Sequence, residues 1–238
     1  MGMQLLFALA DNKIEVVDLG ASESKRSADI VLPGHPSDVR SVAISHDDTL
    51  LLTTSQRCAK VWNVHTHACI RTLESGYGLC SAFAPGNKFA LLGTKEGNIE
   101  IHELATGDLI ETIDAHSDAV WSLAVHPNHK GLVTGSADKT LKVWNFQLVS
   151  DPRNAARRVL SLSLVDTISM ADDVLCVCFS QDQKFIAVSL LDNTVKVYYA
   201  DTMKFFLSLY GHKVRTTLAP KLPLQTPARS PGFLVARE

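Results

Sequence analysis

One short phrase recurs along the 238-residue chain and constrains its fold more than any other feature. The phrase ends at Trp62, His102, Trp144 and Tyr198, so that successive copies lie 40, 42 and 54 residues apart. In each copy a charged residue and a β-branched residue come directly before the ring. A period of about 20–50 residues is typical of repeat proteins, in which each unit buries its apolar surface against its neighbours. The sequence therefore predicts an array of similar units.

The third copy indicates that each unit is built from short antiparallel strands. Residues 119–125, 131–136 and 140–145 have the pattern of strands, and turn-forming residues separate them. The preceding copy supplies a fourth strand at 109–113. Four such strands in about 40–45 residues are typical of one blade of a β-propeller. Because helical periodicity is absent over any useful length, the predicted fold class is all-β.

We place four near-complete blades within a propeller segment at 1–212. Their approximate bounds are 35–74, 75–114, 115–170 and 171–210. Residues 3–33 are predicted to form the last three strands of a preceding blade, at 5–9, 14–19 and 30–32. A ring of about four to eight blades closes only at the blade angle that suits its number. A segment cut from a larger ring has the wrong angle, so an open or incomplete propeller with exposed edges is expected.

An insertion at residues 150–158 accounts for the longest interval between copies. It separates the third and fourth strands of the third blade, and insertions in repeat proteins fall in loops on one face. The segment contains Arg153, Arg157 and Arg158. Two interpretations stay open at this stage: a solvated loop, or a contact for phosphate or for an acidic protein.

A further unit begins at Gly211 and is then abandoned. Residues 213–238 contain Pro220, Pro223, Pro227 and Pro231. Proline removes the backbone donors that a sheet ladder needs, and prolines at this density are typical of an extended chain without a packed core. We predict a Pro-rich, disordered tail at 213–238.

Composition argues against several classes of function. The net charge of −2 is nearly neutral, unlike that of a protein that coats nucleic acid or anionic membranes. The five cysteines show no disulfide spacing and fit a reducing compartment. The short apolar run near the N-terminus lacks a signal-peptide pattern, and no transmembrane span is predicted. Because no catalytic, phosphate-binding or metal-ligand motif occurs, we expect no enzyme, cofactor, metal or small-molecule substrate.

Dipeptides at fixed places in the units carry a resemblance to a known family. Gly34-His35, Ala115-His116 and Gly211-His212 begin units, and Trp62-Asn63 and Trp144-Asn145 end third strands. With these marks, residues 3–212 resemble the WD-repeat family. Members of that family are β-propellers that hold protein partners far more often than they catalyse reactions. The resemblance therefore implies an interaction module.

The resemblance also implies a hydrogen-bonded network inside a blade. In the family it joins a His, a strand Ser or Thr, a turn Asp and the strand Trp. The third unit fills these roles with His116, Ser136 or Thr134, Asp138 and Trp144. Two other units fill them in part, with His35 and Trp62 and with Asp192 and Tyr198. Because such a network is buried and structural, the presence of His, Asp and Ser in it is not interpreted as a catalytic triad.

Three longer stretches resemble a narrower group of WD-repeat proteins, at 172–177, 190–197 and 204–213. Members of this group are nucleolar scaffold proteins of the small-subunit processome, and they are much longer than this chain, which matches part of their N-terminal half. The resemblance implies a nuclear and nucleolar role in ribosome biogenesis and pre-rRNA processing. The implied partners are other ribosome assembly proteins, the U3 small nucleolar ribonucleoprotein and pre-rRNA, without a membrane.

Two alternatives stay open. Phe205 and Phe206 either pack within the last blade or contact a partner. The whole chain is either a processome scaffold or a generic WD-repeat adaptor, such as a ubiquitin-ligase substrate receptor or a signalling platform. Basic residues occur singly and form no stripe with interleaved aromatic residues, so the residues themselves do not predict direct, sequence-specific RNA recognition.

Overall fold

The computed structural model describes residues 4–8, 14–18, 25–30, 34–151, 154–211, 217–218 and 235–236. All regular elements in these ranges are strands, which confirms the predicted all-β class. The same ranges contain no helix long and apolar enough to span a membrane. The strands are β1 (Gln4–Ala8), β2 (Ile14–Asp18), β3 (Lys25–Ile30), β4 (Ser41–Ile44), β5 (Leu50–Thr54), β6 (Cys58–Asn63), β7 (Cys69–Glu74), β8 (Gly78–Phe83), β9 (Phe89–Thr94), β10 (Asn98–Glu103), β11 (Leu109–Asp114), β12 (Val120–Val125), β13 (Gly131–Ser136), β14 (Thr140–Asp151), β15 (Asn154–Ser169), β16 (Val174–Phe179), β17 (Phe185–Leu190), β18 (Val195–Tyr199), β19 (Phe205–Leu209), β20 (Thr217–Leu218) and β21 (Val235–Ala236).

Four sheets each contain four antiparallel strands in chain order. We call them blade 1 (β4–β7), blade 2 (β8–β11), blade 3 (β12–β15) and blade 4 (β16–β19). The strands β1–β3 form a three-stranded sheet, and β20 pairs with β21. In all four blades the turn between the first two strands contains a residue with positive φ: Asp48, Asn87, His129 and Gln183. Such tight turns return the chain beside itself and so produce the sequential pairing.

The chain divides into two compact units, Met1–Ala115 and His116–Glu238. In the first unit, an apolar core joins Leu52, Val61 and Leu73 of blade 1 to Phe83 and Leu92 of blade 2. In the second unit, a similar core joins Val133 and Leu141 of blade 3 to Val174, Ile186 and Val188 of blade 4. Each fully buried side chain of this size stabilises its blade pair by about 1.5–3 kcal/mol relative to exposure.

The register of the ladders makes residues of different blades equivalent. The residues that end the recurring phrase pair with Leu51, Ala90, Leu132 and Ile186 on the second strands. Two positions further along those strands lie Thr53, Leu92, Thr134 and Val188. Side chains alternate along a strand, so these residues share a sheet face with the ring of the phrase. Only blades 1 and 3 therefore place a hydroxyl beside that ring.

The insertion at 150–158 is not the surface loop that the sequence predicts. β14 and β15 continue as a long hairpin, with Val149 opposite Val159 and Asp151 opposite Asn154. Only residues 152–153 separate the two strands, and they lie outside the described ranges. The proline and the charges of this segment suggested a loop, whereas apolar residues on both sides extend the ladder.

The sequence also misplaces the third strand of the first sheet. This strand is β3, Lys25–Ile30, whereas the apolar pattern suggested 30–32. The expectation failed because β3 begins with charged residues, which the search for apolar runs passed over. Most of the predicted tail at 213–238 lies outside the described residues, which include only β20 and β21 there. Its disorder stays a prediction.

Candidate functional site

A buried hydrogen-bond network joins the strands of blade 3. The Trp144 Nε1–H donates to Thr134 Oγ1 at 2.9 Å, and His116 Nε2 lies 2.8 Å from the same oxygen. On its other side, His116 Nδ1 lies 2.9 Å from Asp138 Oδ2. An indole only donates and a carboxylate only accepts. His116 is therefore the neutral tautomer that donates from Nδ1 to Asp138 and accepts at Nε2 from the Thr134 hydroxyl.

Thr134, and not Ser136, supplies the hydroxyl of this network. Ser136 Oγ donates to the Asp118 carbonyl oxygen at 3.0 Å and accepts the Asp138 backbone N–H at 3.1 Å. Thr140 donates to Asp138 Oδ1 from both its N–H and its hydroxyl, at 2.9 and 2.6 Å. Ser136 thus shapes the turn that carries Asp138, while Thr134 joins the histidine to the tryptophan.

Blade 1 repeats the network with a serine in place of the carboxylate. The Trp62 Nε1–H donates to Thr53 Oγ1 at 2.8 Å, and His35 Nε2 lies 2.6 Å from that oxygen. His35 Nδ1 lies 3.0 Å from Ser55 Oγ, which itself donates to the Cys58 carbonyl oxygen at 3.0 Å. His35 and Trp62 are therefore brought together, as the family resemblance implied.

Blade 2 replaces the network with a buried pair on a single strand. His102 Nε2 lies 3.0 Å from Glu100 Oε2, and the Gly76 N–H donates to Glu100 Oε1 at 3.1 Å. His102 occupies the tryptophan position of the phrase, and Leu92 takes the place of the threonine. The blade thus pairs its buried histidine through Nε2 without a relay hydroxyl, while His102 Nδ1 has no hydrogen-bond partner among the described residues.

In blade 4 a tyrosine and a methionine take the places of the tryptophan and the histidine. The Tyr198 hydroxyl donates to Met170 Sδ at 3.3 Å, beside Val188. Met170 stands four residues before its blade, as His116 does. Asp192 lies in an exposed turn, where it accepts from the N–H and hydroxyl of Thr194 at 2.9 and 2.6 Å. Within the described part of the chain, no hydrogen bond joins Asp192 to Tyr198.

We predict that acid destabilises the blades through His35 and His116. Burial lowers the pKa of His35 from 6.5 to about 4, with the Lys60 charge adding to the effect. Burial also lowers the pKa of His116, against the opposing attraction of Asp138. Well above pH 6.5 both histidines are neutral in the folded and unfolded chain, so their contribution is fully present. As the pH falls through 6.5 the unfolded state binds more protons than the folded state, and the free energy of unfolding falls by at most about 1.4 kcal/mol per pH unit for each histidine. For His35 this loss continues down to about pH 4.

Urea unfolding at pH 7 and pH 5 measures this effect. His35→Gln should reduce the difference between the two pH values, whereas the exposed His65→Gln should leave it unchanged. An equal free energy of unfolding at both pH values for the unaltered chain would contradict the prediction.

Phe205 and Phe206, the predicted partner contacts of blade 4, both pack and remain exposed. The Phe206 ring lies 5.1 Å from the ring centroids of Phe185 and Tyr199. The Phe205 ring meets Tyr198 edge-on at 5.8 Å. Even so, Phe205 and Phe206 are 55% and 44% exposed. The two interpretations of this pair are therefore compatible, because packing on one side leaves the other side open.

The arginines of the insertion lie on the extended hairpin. Arg157 is half-buried and Arg158 is exposed, both on β15. Arg158 stands opposite Ser150 in the ladder. Arg153 lies outside the described residues.

We call the fourth strand of each blade, which lies at an edge of its sheet, the outer strand. The outer strand of blade 4 differs in charge from those of the other three blades. Three outer strands place a charged residue opposite the β-branched residue of the phrase: Arg71, Glu111 and Asp166. In blade 4 the equivalent residue, opposite Val197, is Leu207. The whole of Phe205–Leu209 is uncharged. Charges on an exposed edge discourage pairing with another chain, so β19 is the outer strand without this protection.

Sequence reasoning missed Trp121. This residue sits at a bulge between Val120 and Ser122, where the register of β12 against β13 shifts. Its side chain is 44% exposed, whereas Trp62 and Trp144 are buried. The sequence could have indicated this exposure through Val120 and Ser122. Side chains alternate along a strand, so a large ring between two inward-facing residues points away from the core.

The described side chains offer no metal site, since nowhere among them do three or more His, Cys, Asp or Glu residues come close enough to hold an ion. None of the five cysteines, all of which lie in the described ranges, is in a disulfide. Burial raises the pKa of the Cys178 thiol to about 12. That thiol therefore stays protonated and acts as an apolar core residue.

Comparison with known proteins identifies the family. Residues 38–218 match the family model described as the WDR3 second beta-propeller domain. The chain belongs to this family. Within the WD-repeat proteins, the chain therefore corresponds to the second of at least two propellers in members of this family.

Relatives of this family are substantially longer than the chain. Mouse WD repeat-containing protein 3 is 46% identical over 216 residues, which cover 89% of this chain and 23% of the relative. The U3 small nucleolar RNA-associated protein 12 of Saccharomyces cerevisiae is 50% identical over 190 residues, covering 78% and 20%. Cell division cycle 20.1, cofactor of APC complex, of Arabidopsis thaliana is 25% identical over 170 residues, covering 67% and 37%. The chain thus spans about a quarter or less of the first two.

Proposed function

We propose that the chain is a non-enzymatic scaffold that holds protein partners, and that β19 is a docking edge. The exposed, uncharged outer strand of blade 4 is the observation that carries this proposal. An outer strand presents a row of backbone N–H and C=O groups on its open side, and an extended peptide binds such a row by adding a strand. The occupant is an extended segment of another protein.

The side chains of β19 define what that segment is like. Leu207 replaces the charge of the other outer strands, and Phe205 and Leu209 expose about half of their surface. Phe206 forms a platform with Phe185 and Tyr199. Aromatic anchors with apolar neighbours dominate the energy of protein interfaces. We therefore propose a partner segment with uncharged, apolar residues at alternate positions.

The assembly in which this scaffold acts is proposed from the relatives. The yeast relative is named for its association with the U3 small nucleolar RNA, and it is 50% identical to most of this chain. We propose a nucleolar role in small-subunit ribosome biogenesis and pre-rRNA processing. The proposed partners are other assembly proteins, with the U3 ribonucleoprotein and pre-rRNA reached through the complex. Arg157 and Arg158 offer the hairpin a contact for phosphate or for an acidic protein.

The alternative is an adaptor for a ubiquitin ligase. It is favoured by the relative named as a cofactor of the APC complex, at 25% identity. We prefer the ribosomal role because the two longer relatives are nearly twice as similar to this chain.

Affinity capture of the tagged chain from yeast nuclear extract tests the proposal. We expect U3 RNA and small-subunit assembly proteins to be enriched. Phe205→Lys, which places a charge on β19, should reduce the recovery of the direct protein partner by about fivefold or more. Leu109→Lys at the equivalent position of β11 is the matched control and should leave recovery unchanged.

Three outcomes would contradict parts of the proposal. Ubiquitin-ligase subunits in place of U3 RNA would favour the adaptor. Equal loss from both lysine variants would show that β19 has no special role. Loss of all protein partners after RNase treatment would mean that RNA, and not a protein edge, holds the chain in the complex.

A further inference from the structure

Trp121 exposes a large aromatic surface on the second compact unit. Its neighbours Val120 and Ser122 are buried, and the bulge between them turns the indole outward. Burying a tryptophan in the core normally contributes several kcal/mol, so a ring left outside is available for a partner.

Blades 3 and 4 meet at this position. Ser122 Oγ accepts the Val177 N–H at 2.9 Å, which joins the inner strand of blade 3 to that of blade 4. β12 and β16 begin at the same end of the two sheets, and Asp172 and Asp173 come directly before β16. Asp118 precedes β12 by two residues and is exposed. The indole thus lies at an end of the unit that carries several carboxylates.

The first unit shows what occupies the same place there. Ser41 pairs with Thr54 and Ser122 pairs with Gly135 at the same place in their ladders, so Arg40 of blade 1 is equivalent to Trp121. Tyr77 and Asp173 directly precede β8 and β16, so these two residues are equivalent as well. The Tyr77 ring has the Arg40 guanidinium 5.8 Å and the Lys95 ammonium 5.5 Å from its centroid. The first unit therefore supplies both the ring and its cations from its own chain.

At the equivalent positions the second unit carries groups that attract cations, and none of the three residues there is itself a cation. Trp121 replaces Arg40, Asp173 replaces Tyr77, and Leu191 replaces Lys95. The neighbouring carboxylate Asp172 already has a cation, because the Lys139 Nζ lies 3.2 Å from its Oδ1. Among the residues that the structure describes, no cation lies over the Trp121 ring. An indole face beside a carboxylate binds a guanidinium or an ammonium well, because both groups favour positive charge.

We propose that Trp121 and Asp173 form a binding site for an arginine or lysine side chain of a partner protein. The cation lies against the indole and pairs with the Asp173 carboxylate, while Leu175 and Leu191, which are half-buried, contact the aliphatic part of that side chain. Asp118 adds to the local negative charge. This inference rests on the proposed scaffold role, and it adds the chemistry of a second contact, separate from the uncharged edge β19.

Fluorescence anisotropy with a defined peptide tests the site on the full chain. The probe is a twelve-residue Gly/Ser peptide with three arginines and a neutral dye, compared with the same peptide carrying glutamine. We expect the arginine peptide alone to bind saturably. Trp121→Ala and Asp173→Asn should each weaken binding by about threefold to tenfold. Trp121→Arg, which copies Arg40 of blade 1, should abolish binding because it supplies a cation from the chain itself.

Asp201→Asn is the control for general charge, since Asp201 is exposed in the turn before β19. It should bind the arginine peptide as the unaltered chain does, and circular dichroism should be the same for all variants. Equal binding of the arginine and glutamine peptides, or unchanged affinity in Trp121→Ala, would overturn the site. If the peptide experiment gives either of these results while the tagged chain still captures U3 RNA, the site is refuted and the scaffold role stands. If the chain binds the arginine peptide as expected but captures no U3 RNA, the scaffold role alone is refuted.

Discussion

Thr134→Val is expected to lower the free energy of unfolding of the second unit by about 2–5 kcal/mol. Thr134 Oγ1 is shared by the Trp144 N–H and His116 Nε2, at 2.9 and 2.8 Å. Valine has the same shape without the hydroxyl, so it leaves a buried donor and a buried acceptor unpaired at once. Each such group costs about 1–3 kcal/mol. Urea unfolding followed by the fluorescence of the buried tryptophans measures the loss.

Blade 4 suggests a second variant that tests the same network. It carries Val188 at the position of Thr134, with Met170 and Tyr198 in place of the histidine and the tryptophan. Transplanting that set as His116→Met, Thr134→Val and Trp144→Tyr should cost less than the sum of the three single changes, because the triple variant removes all the partners together. The exposed Thr112→Val serves as a control and should change stability by less than about 0.5 kcal/mol. A Thr134→Val variant as stable as this control would refute the role of the network.

Gly131→Ala is expected to destabilise the second unit by about 3 kcal/mol or more. A Cβ added at Gly131 would lie 2.1 Å from the Trp144 carbonyl oxygen, which belongs to the backbone of the paired strand. Because a backbone atom cannot rotate away, the ladder between β13 and β14 must separate locally. The same ladder carries Thr134 and Trp144, so the hydrogen-bond network of blade 3 should be lost as well.

Gly86→Ala is the comparison variant for this prediction. Nothing lies within 4 Å of a Cβ at Gly86, but its φ of 83° is in the region that favours glycine. Only backbone strain is added there, and we expect a loss of about 1–2 kcal/mol. Thermal unfolding of the two variants should therefore rank Gly131→Ala well below Gly86→Ala. The reverse order would contradict the packing of β13 against β14.

The fold could be predicted from the sequence because each copy of the repeat independently indicates the same blade. Each copy of the phrase places an apolar strand in the same register, so four independent segments agree on one blade. It could not separate Thr134 from Ser136, since side chains two apart share a face of the strand. Register with the paired strand decides the matter, and register follows from turns that the sequence pattern leaves undefined.

Surface features were harder to foresee than the core. Trp121 has the alternation of an ordinary strand residue, and only the bulge and the contrast with Arg40 make it a candidate contact. The insertion suggested a loop because its charged residues hide an alternation that continues the hairpin. The expectation of an open propeller concerns the arrangement of the two units and stays a prediction.

Site-specific photo-cross-linking in yeast cells tests the central claim most directly. A photoreactive phenylalanine analogue replaces Phe205 in one experiment, Trp121 in a second and Leu109 as a control in a third, and the attached proteins are sequenced. The account predicts that positions 205 and 121 attach to small-subunit assembly proteins, with an apolar extended segment at 205 and an arginine- or lysine-bearing segment at 121. Attachment to ubiquitin-ligase subunits, or no greater attachment at 205 and 121 than at 109, would contradict it.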